Sequence, residues 1–244
     1  MAITKFVEGD QPGVYTVADE DDVEGNLRAI KDARRQADWV LVHLHNHEWE
    51  PGKDLSVPSK FVTTFSRACI DAGADVFIGQ GSHSLLRGIE IYKKKPIFYD
   101  PGDFMAMSNT VTRLPADFFL RPGYRDEVRS CKATAADGFD AREALPKPWN
   151  PPGGYGSAKV VGSIVGVCSF GEAGELSGLK AYPFTLGGAI GRESSGHHGP
   201  RSQSGIPRLA DTGMAKKIIE YLAELSAPFG TKIESKDGLG QIKL

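Results

Sequence analysis

Trp39-Val40-Leu41-Val42-His43-Leu44-His45-Asn46-His47-Glu48 begins as an apolar run of strand length and ends on alternating polar side chains, and that switch decides how the chain folds. Valine and tryptophan favour extended backbone, and the apolar part is too short for a buried helix. After it, Ser56 as cap, Pro58 in the first turn, a stripe of Phe61, Phe65, Ala68, Cys69 and Ala72, and Gly73 as stop predict a helix. Asp75-Val76-Phe77-Ile78 then reads as a second buried strand. Strand, helix and strand with short connections form a βαβ unit with a right-handed crossover, so the two strands are expected to be parallel. His45-Asn46-His47-Glu48 and Gly79-Gln80-Gly81-Ser82-His83 would leave them at one edge, where open α/β sheets bind ligands.

Outward from this unit, residues 19–37 place Val23, Leu27, Ile30, Ala33 and Ala37 on one helical stripe, with an acidic start and a basic end that suit the helix dipole. Downstream, Ile89 to Tyr92 and Ile97 to Tyr99 flank a Lys93-Lys94-Lys95-Pro96 turn and predict a hairpin that delivers Asp100 and Gly102-Asp103 into a loop. Residues 110–158, with Pro and Gly clusters and no long periodic stripe, read as an irregular excursion. Val160 to Phe170 and Leu176 to Phe184 predict a second hairpin, and a polar loop from Gly187 to Arg208 follows. Asp211 then caps a helix that turns Met214, Ile218, Tyr221, Leu222 and Leu225 inward and stops at Pro228, and the tail adds one short strand. One domain over residues 1–244 accommodates all of this.

With 244 residues, 40% of them hydrophobic, the chain can bury a sizeable core, and a formal charge of -2 with the two signs nearly balanced argues against a nucleic-acid or anionic-membrane surface. The N-terminus lacks the basic and apolar regions of a signal peptide, which leaves cytoplasm and cell envelope both open. Cys69, Cys131 and Cys168 are odd in number and widely spaced, and they read as reduced and structural.

The chemistry gathers on histidine. Alternate residues of an extended chain share a side, so His45 and His47 can converge, and imidazole suits zinc, iron or manganese. His83 sits in a glycine-rich turn expected at the same edge, which makes His45, His47 and His83 the candidate metal ligands and His45 and His83 the candidate catalytic pair. His43, inside the strand, reads as a hydrogen-bonded core residue. Glu48 and Glu50 read as solvent-facing acids, and His197-His198 belongs to the polar loop. Arg87, Arg192 and Arg201 are candidates for binding an anionic substrate through planar donors.

The run from Ala37-Asp38 through His45, Ile70-Asp71-Ala72-Gly73-Ala74-Asp75, Gly79 to His83 and Gly88 to Phe104 resembles the CapA family of the calcineurin-like metallophosphoesterase superfamily. So do Pro207-Arg208-Leu209-Ala210 and the ending Leu225 to Thr231. The resemblance implies a layered α/β sandwich of the metallophosphatase type, with a C-terminal strand hairpin and helix. It also implies loops holding divalent metal ions (manganese, iron or zinc) that activate water against a phosphoester or related bond in a small-molecule or polymeric anion. It assigns His45 and His83 as late metal ligands. Three departures stand out: Gln80 replaces the first histidine of the later turn, Ser82 its proline, and Asp103 the asparagine of Gly-Asn-Phe. The superfamily's early Asp-x-His, Gly-Asp-x-x-Asp and Gly-Asn-His-Glu blocks are absent from residues 1–37, so the fold is expected to be incomplete at its N-terminus, unless Asn46-His47-Glu48 stands for the last of them. A metal-dependent hydrolase of capsule or poly-γ-glutamate synthesis, a noncatalytic component among envelope assembly partners, and an inactive gene fragment are the three readings left open.

Overall fold

A computed structural model describes residues 6–10, 13, 15–82, 86–105, 111–120, 133–138, 162–186 and 206–244. Helix α1 (Glu20–Arg34) begins where Asp19 accepts a hydrogen bond from the Asp22 amide (3.1 Å), with three acids in its first turn and Lys31 and Arg34 in its last. Strand β1 (Leu41–His45), helix α2 (Lys60–Asp71) and strand β2 (Val76–Gln80) form the expected βαβ unit, parallel in register from Leu41↔Val76 to His45↔Gln80. The hairpin of β3 (Ile89–Tyr92) and β4 (Lys95–Phe98) completes a mixed sheet in the order β1-β2-β4-β3, with β4 parallel to β2. Its two-residue turn puts Lys93 and Lys94 at φ 48° and 60°, the left-handed geometry that matches strand twist even without glycine.

The second sheet is antiparallel. Strands β5 (Ser163–Phe170) and β6 (Leu176–Leu186) make the second predicted hairpin, β7 (Pro207–Leu209) pairs with the end of β6, and β8 (Lys232–Lys236) with β9 (Leu239–Lys243) extends the sheet in the order β5-β6-β9-β8. Helix α3 (Thr212–Ser226), capped by Asp211 on the Met214 amide (2.9 Å), packs on this sheet and reaches the start of β3, where the Ser226 hydroxyl accepts from the Ile89 amide (2.9 Å). The tail thus holds two strands where the sequence suggested one. Asp237 and Gly238, both at positive φ, turn them into a hairpin whose largely polar β8 gives a weak strand signal.

Two cores hold the layers. Val40, Val62, Cys69, Phe77 and Ile97 lie between the first sheet and helices α1 and α2. Val76, Leu86, Ile89 and Phe98 meet Ile164, Leu179, Ala181, Ile218 and Leu222 between the two sheets and α3. Val76 and Phe77 therefore point to opposite cores, which is why β2 reads as continuously apolar. The result is an α/β protein, and among the described residues no helix is long and apolar enough to cross a membrane. Cys69 and Cys168 are free thiols that burial pushes up to about 12 and about 11, as expected of structural cysteines. Cys131, the loop beyond Leu186 with His197-His198, and most of the excursion after residue 110 lie outside the described residues.

Helix α2 departs from the sequence reading in two ways. It starts after Ser59, because Ser56 instead donates its amide and hydroxyl to Asp54 Oδ1 (2.9 and 2.6 Å), leaving Pro58 ahead of the helix. Its face is also rotated: Val62, Ser66 and Cys69 are the fully buried side chains, while Phe65 is half-buried and meets Phe77 edge-on at 6.3 Å. Phe65→Ala is therefore expected to cost about 2 kcal/mol, below the 3 to 5 kcal/mol of a fully buried phenylalanine. Equilibrium urea unfolding will read this as a shift in midpoint, and a loss above about 3 kcal/mol would put Phe65 in the core after all.

Candidate functional site

The C-terminal ends of β1, β2 and β4 share one edge, as parallel pairing requires, and the polar residues of the chain meet there. His43 and His45 share the face of β1 turned away from α1 and α2, and both are exposed because β1 is the edge strand of its sheet among the described residues. His43 is therefore not a core residue. Its Nε2–H donates to Gln80 Oε1 (3.2 Å), diagonally across the β1/β2 step, where Gln80 itself pairs with His45. His45 and His47 converge as alternation predicts: their Nε2 atoms are 3.1 Å apart, with the rings edge to face at 5.1 Å.

The loop after β1 lies directly on the turn after β2. The Asn46 amide donates to the Gln80 carbonyl (2.8 Å), and Gly81, at φ 117°, approaches so closely that a Cβ there would stand 2.3 Å from the Asn46 carbonyl oxygen. Only glycine fits both the backbone angle and the space. The Glu48 amide donates to Asn46 Oδ1 (3.2 Å), and the Glu48 side chain faces solvent as expected. Glu50 does not: its carboxylate accepts from the Lys60 amide (3.0 Å) and caps α2, a task Ser59 leaves undone.

Two charged residues at this edge are only 2% exposed, Arg87 and Asp100. Arg87 donates from Nη2 to the Glu48 carbonyl (2.8 Å) and from Nε to the Leu55 carbonyl (3.2 Å). Two of its three nitrogens are thus turned inward onto backbone. Burial pulls the guanidinium below the usual arginine range, against the charges of Asp100 and Glu48. The Asp100 carboxylate accepts from the Ser82 amide (2.9 Å) and the Gly102 amide (2.8 Å), and burial holds it above the usual carboxylate range despite those bonds. Asn46 Nδ2 and Arg87 Nη1 are buried donors with no hydrogen-bond acceptor among the described residues. Sequence reasoning noticed Asp100 only as a loop residue; its signal was its place directly after the β4 run, at the ligand edge.

Of the predicted site residues, the structure brings His45 and His47 together, while His83, Arg192 and Arg201 lie outside the described residues. Among the described residues no group of three or more His, Cys, Asp or Glu is arranged to hold a metal ion.

An α/β sandwich with histidines on the loops at the C-terminal edge of its parallel strands is consistent with the metallophosphatase type of fold. Residues 4–108 match the family described as bacterial capsule synthesis protein PGA_cap. The chain is 32% identical over 246 residues to the uncharacterized protein y4sH of Sinorhizobium fredii, an alignment that covers 100% of this chain and 50% of that one. It is 36% identical over 94 residues to the PGA biosynthesis protein CapA of Bacillus subtilis (38% of this chain, 22% of that one). It is likewise 36% identical over 100 residues to a probable polyglutamine synthesis accessory protein of Mycobacterium tuberculosis (38% and 24%). Residues 4–108 of the chain belong to the CapA family. The chain spans about half the length of the curated relatives that match it from end to end.

Proposed function

We propose that this chain carries part of the divalent-metal site of a phosphoesterase-type hydrolase that acts in capsule or poly-γ-glutamate synthesis. The observation behind this reading is the 3.1 Å approach of His45 Nε2 to His47 Nε2 at the ligand edge of the sheet. Two nitrogens bound to one tetrahedral zinc at about 2.0 to 2.1 Å stand about 3.3 Å apart, so the spacing of the pair is close to that of two ligands of one cation. Asn46 Nδ2 and Arg87 Nη1, donors without an acceptor among the described residues, are suited to the oxygens of an anionic substrate, small or polymeric. A bound manganese, iron or zinc ion would polarise such a group and lower the pKa of a water. His83 is the further donor that the family resemblance assigns, and Arg192 and Arg201 remain candidates for the anion.

A noncatalytic role among envelope assembly partners is the second reading, favoured by Gln80, whose amide oxygen is engaged by His43 where the family pattern places an imidazole. Isothermal titration with manganese and zinc separates the two. His45→Ala and His83→Ala are expected to weaken binding at least tenfold, and Gln80→His to tighten it, since imidazole outcompetes an amide for these metals. Equal binding by the natural chain and all three variants would remove the metal reading and leave the assembly role.

A further inference from the structure

Arg87 and Asp100 are unusual in being charged, almost fully enclosed, and yet not ion-paired side chain to side chain within 4.0 Å of one another. Each carries its charge into the protein: Arg87 donates to two backbone carbonyls, and the Asp100 carboxylate accepts from two backbone amides and from the Ser82 side chain. Enclosing a charge is expensive unless hydrogen bonds replace its water, and an apolar residue at either position would avoid that cost. Stability alone is therefore a poor account of the pair, and the identity of the backbone groups they hold is a better one.

Those groups all belong to the loops of the ligand edge. Arg87 grips the chain that leaves β1 at two places seven residues apart, the carbonyls of Glu48 and Leu55, just beyond His47. Its own amide donates to the Asp100 carbonyl (2.9 Å). The Asp100 carboxylate then takes the Ser82 amide, one residue before His83, and the Gly102 amide of its own loop. With Asn46 bonded to the Gln80 carbonyl and Gly81 packed on Asn46, three separate loops are fastened to one another by bonds that exclude the histidine side chains themselves.

We propose that Arg87 and Asp100 are positioning residues that latch the loops after β1, β2 and β4 together, fixing the histidine-bearing backbone in its ligand-ready arrangement before any ligand arrives. A site held within a fraction of an ångström binds with less ordering cost than one assembled around its ligand, and backbone contacts to a planar guanidinium are well suited to that because the fork sets their direction. Lysine at position 87 keeps the charge but lacks the planar fork that fixes the directions of the two bonds. Any value for manganese rests on the metal reading above, whereas the latch itself does not.

Hydrogen–deuterium exchange of the 244-residue chain tests the latch directly, with manganese titration beside it. In Arg87→Met, amides of residues 46–57 are expected to exchange at least tenfold faster, while those of α3 keep their rates and manganese affinity falls at least tenfold. Asp100→Asn, which retains one acceptor, and Arg87→Lys are expected to give smaller changes in the same segments, and they replace Arg87→Met as the deciding variants should it not fold. Unchanged exchange in 46–57, or faster exchange spread equally over 46–57 and α3, overturns the proposal, the second because it marks an ordinary loss of global stability. A natural chain that binds no manganese would sink the metal reading and leave the exchange result to decide the latch.

Discussion

Gly79→Ala will destabilise the chain by about 3 kcal/mol or more, the upper end of what overpacking does, because the added methyl has nowhere to go. Gly79 lies inside β2 with an ordinary strand backbone, so alanine meets no conformational penalty there. The obstacle is steric. A Cβ at this position would stand 2.2 Å from the Tyr99 carbonyl oxygen and 3.0 Å from its carbonyl carbon, and these are backbone atoms that cannot rotate aside. Relief requires β2 and β4 to part where they pair at Ile78↔Phe98, and that pulls on Tyr99, which is anchored by its amide to the Gly88 carbonyl (3.1 Å) and by its hydroxyl to Glu90 (2.5 Å). Gly52 supplies the control. It is at φ 76° with nothing within 4 Å of a Cβ, so Gly52→Ala carries only the left-handed backbone penalty of about 1 to 2 kcal/mol. Urea unfolding of both variants checks the contrast, and a Gly79→Ala midpoint equal to that of Gly52→Ala would mean that β2 and β4 sit farther apart than described.

The same strands show what could be read in advance. The βαβ unit was legible because residues 39–44 and 75–78 are apolar runs of strand length on either side of a helical stripe, and parallel pairing then follows from connection rules. From that alone the histidines are sent to the correct edge. Periodicity does not say which strand lies at the margin of a sheet, and His43 is exposed for that reason, paired with Gln80 and not enclosed. Glu50 capping a helix ten residues later, and Arg87 folded inward onto two carbonyls, are tertiary events with no local signature. An arginine or glutamate in a loop defaults to solvent on composition, and only the path of the chain overrides that. The tail differs in kind: Asp237-Gly238 is a strong turn signal, outweighed by the polar character of the strand before it.

Asp75→Ala is expected to cost about 3 kcal/mol, because one enclosed carboxylate joins three elements of the first sheet's N-terminal edge. Asp75 Oδ2 accepts from Arg34 Nη1 at the end of α1 (2.7 Å) and from the Val40 amide at the approach to β1 (2.8 Å), and Oδ1 accepts from Lys95 Nζ at the start of β4 (2.7 Å). Removing it strands the Val40 amide and leaves Lys95, whose side chain is 20% exposed, without its counter-charge; Arg34, at 33%, reaches water more easily, which keeps the cost at the lower end of the range for broken buried pairs. Burial alone would raise the Asp75 pKa, but the hydrogen bonds from Lys95 and Val40 and the charges of Lys95 and Arg34 outweigh it and hold the carboxyl below its ordinary value. A depressed folded pKa means stability that is fully present above the unfolded value of about 3.9 and is lost as pH falls through the folded one. Asp100 acts in the opposite sense: its raised folded pKa contributes fully below about 3.9 and is lost as pH rises through the folded value. The natural chain's acid profile therefore mixes the two. The stability difference between the natural chain and Asp75→Asn cancels Asp100, which both share, and isolates the charge at position 75. That difference should stay constant from pH 7 down to about 5 and shrink steeply below about 3.9. Urea titrations at a series of pH values measure it, and a difference that holds steady or widens in acid would show that Asp75 acts through its shape and hydrogen bonds and not through its charge.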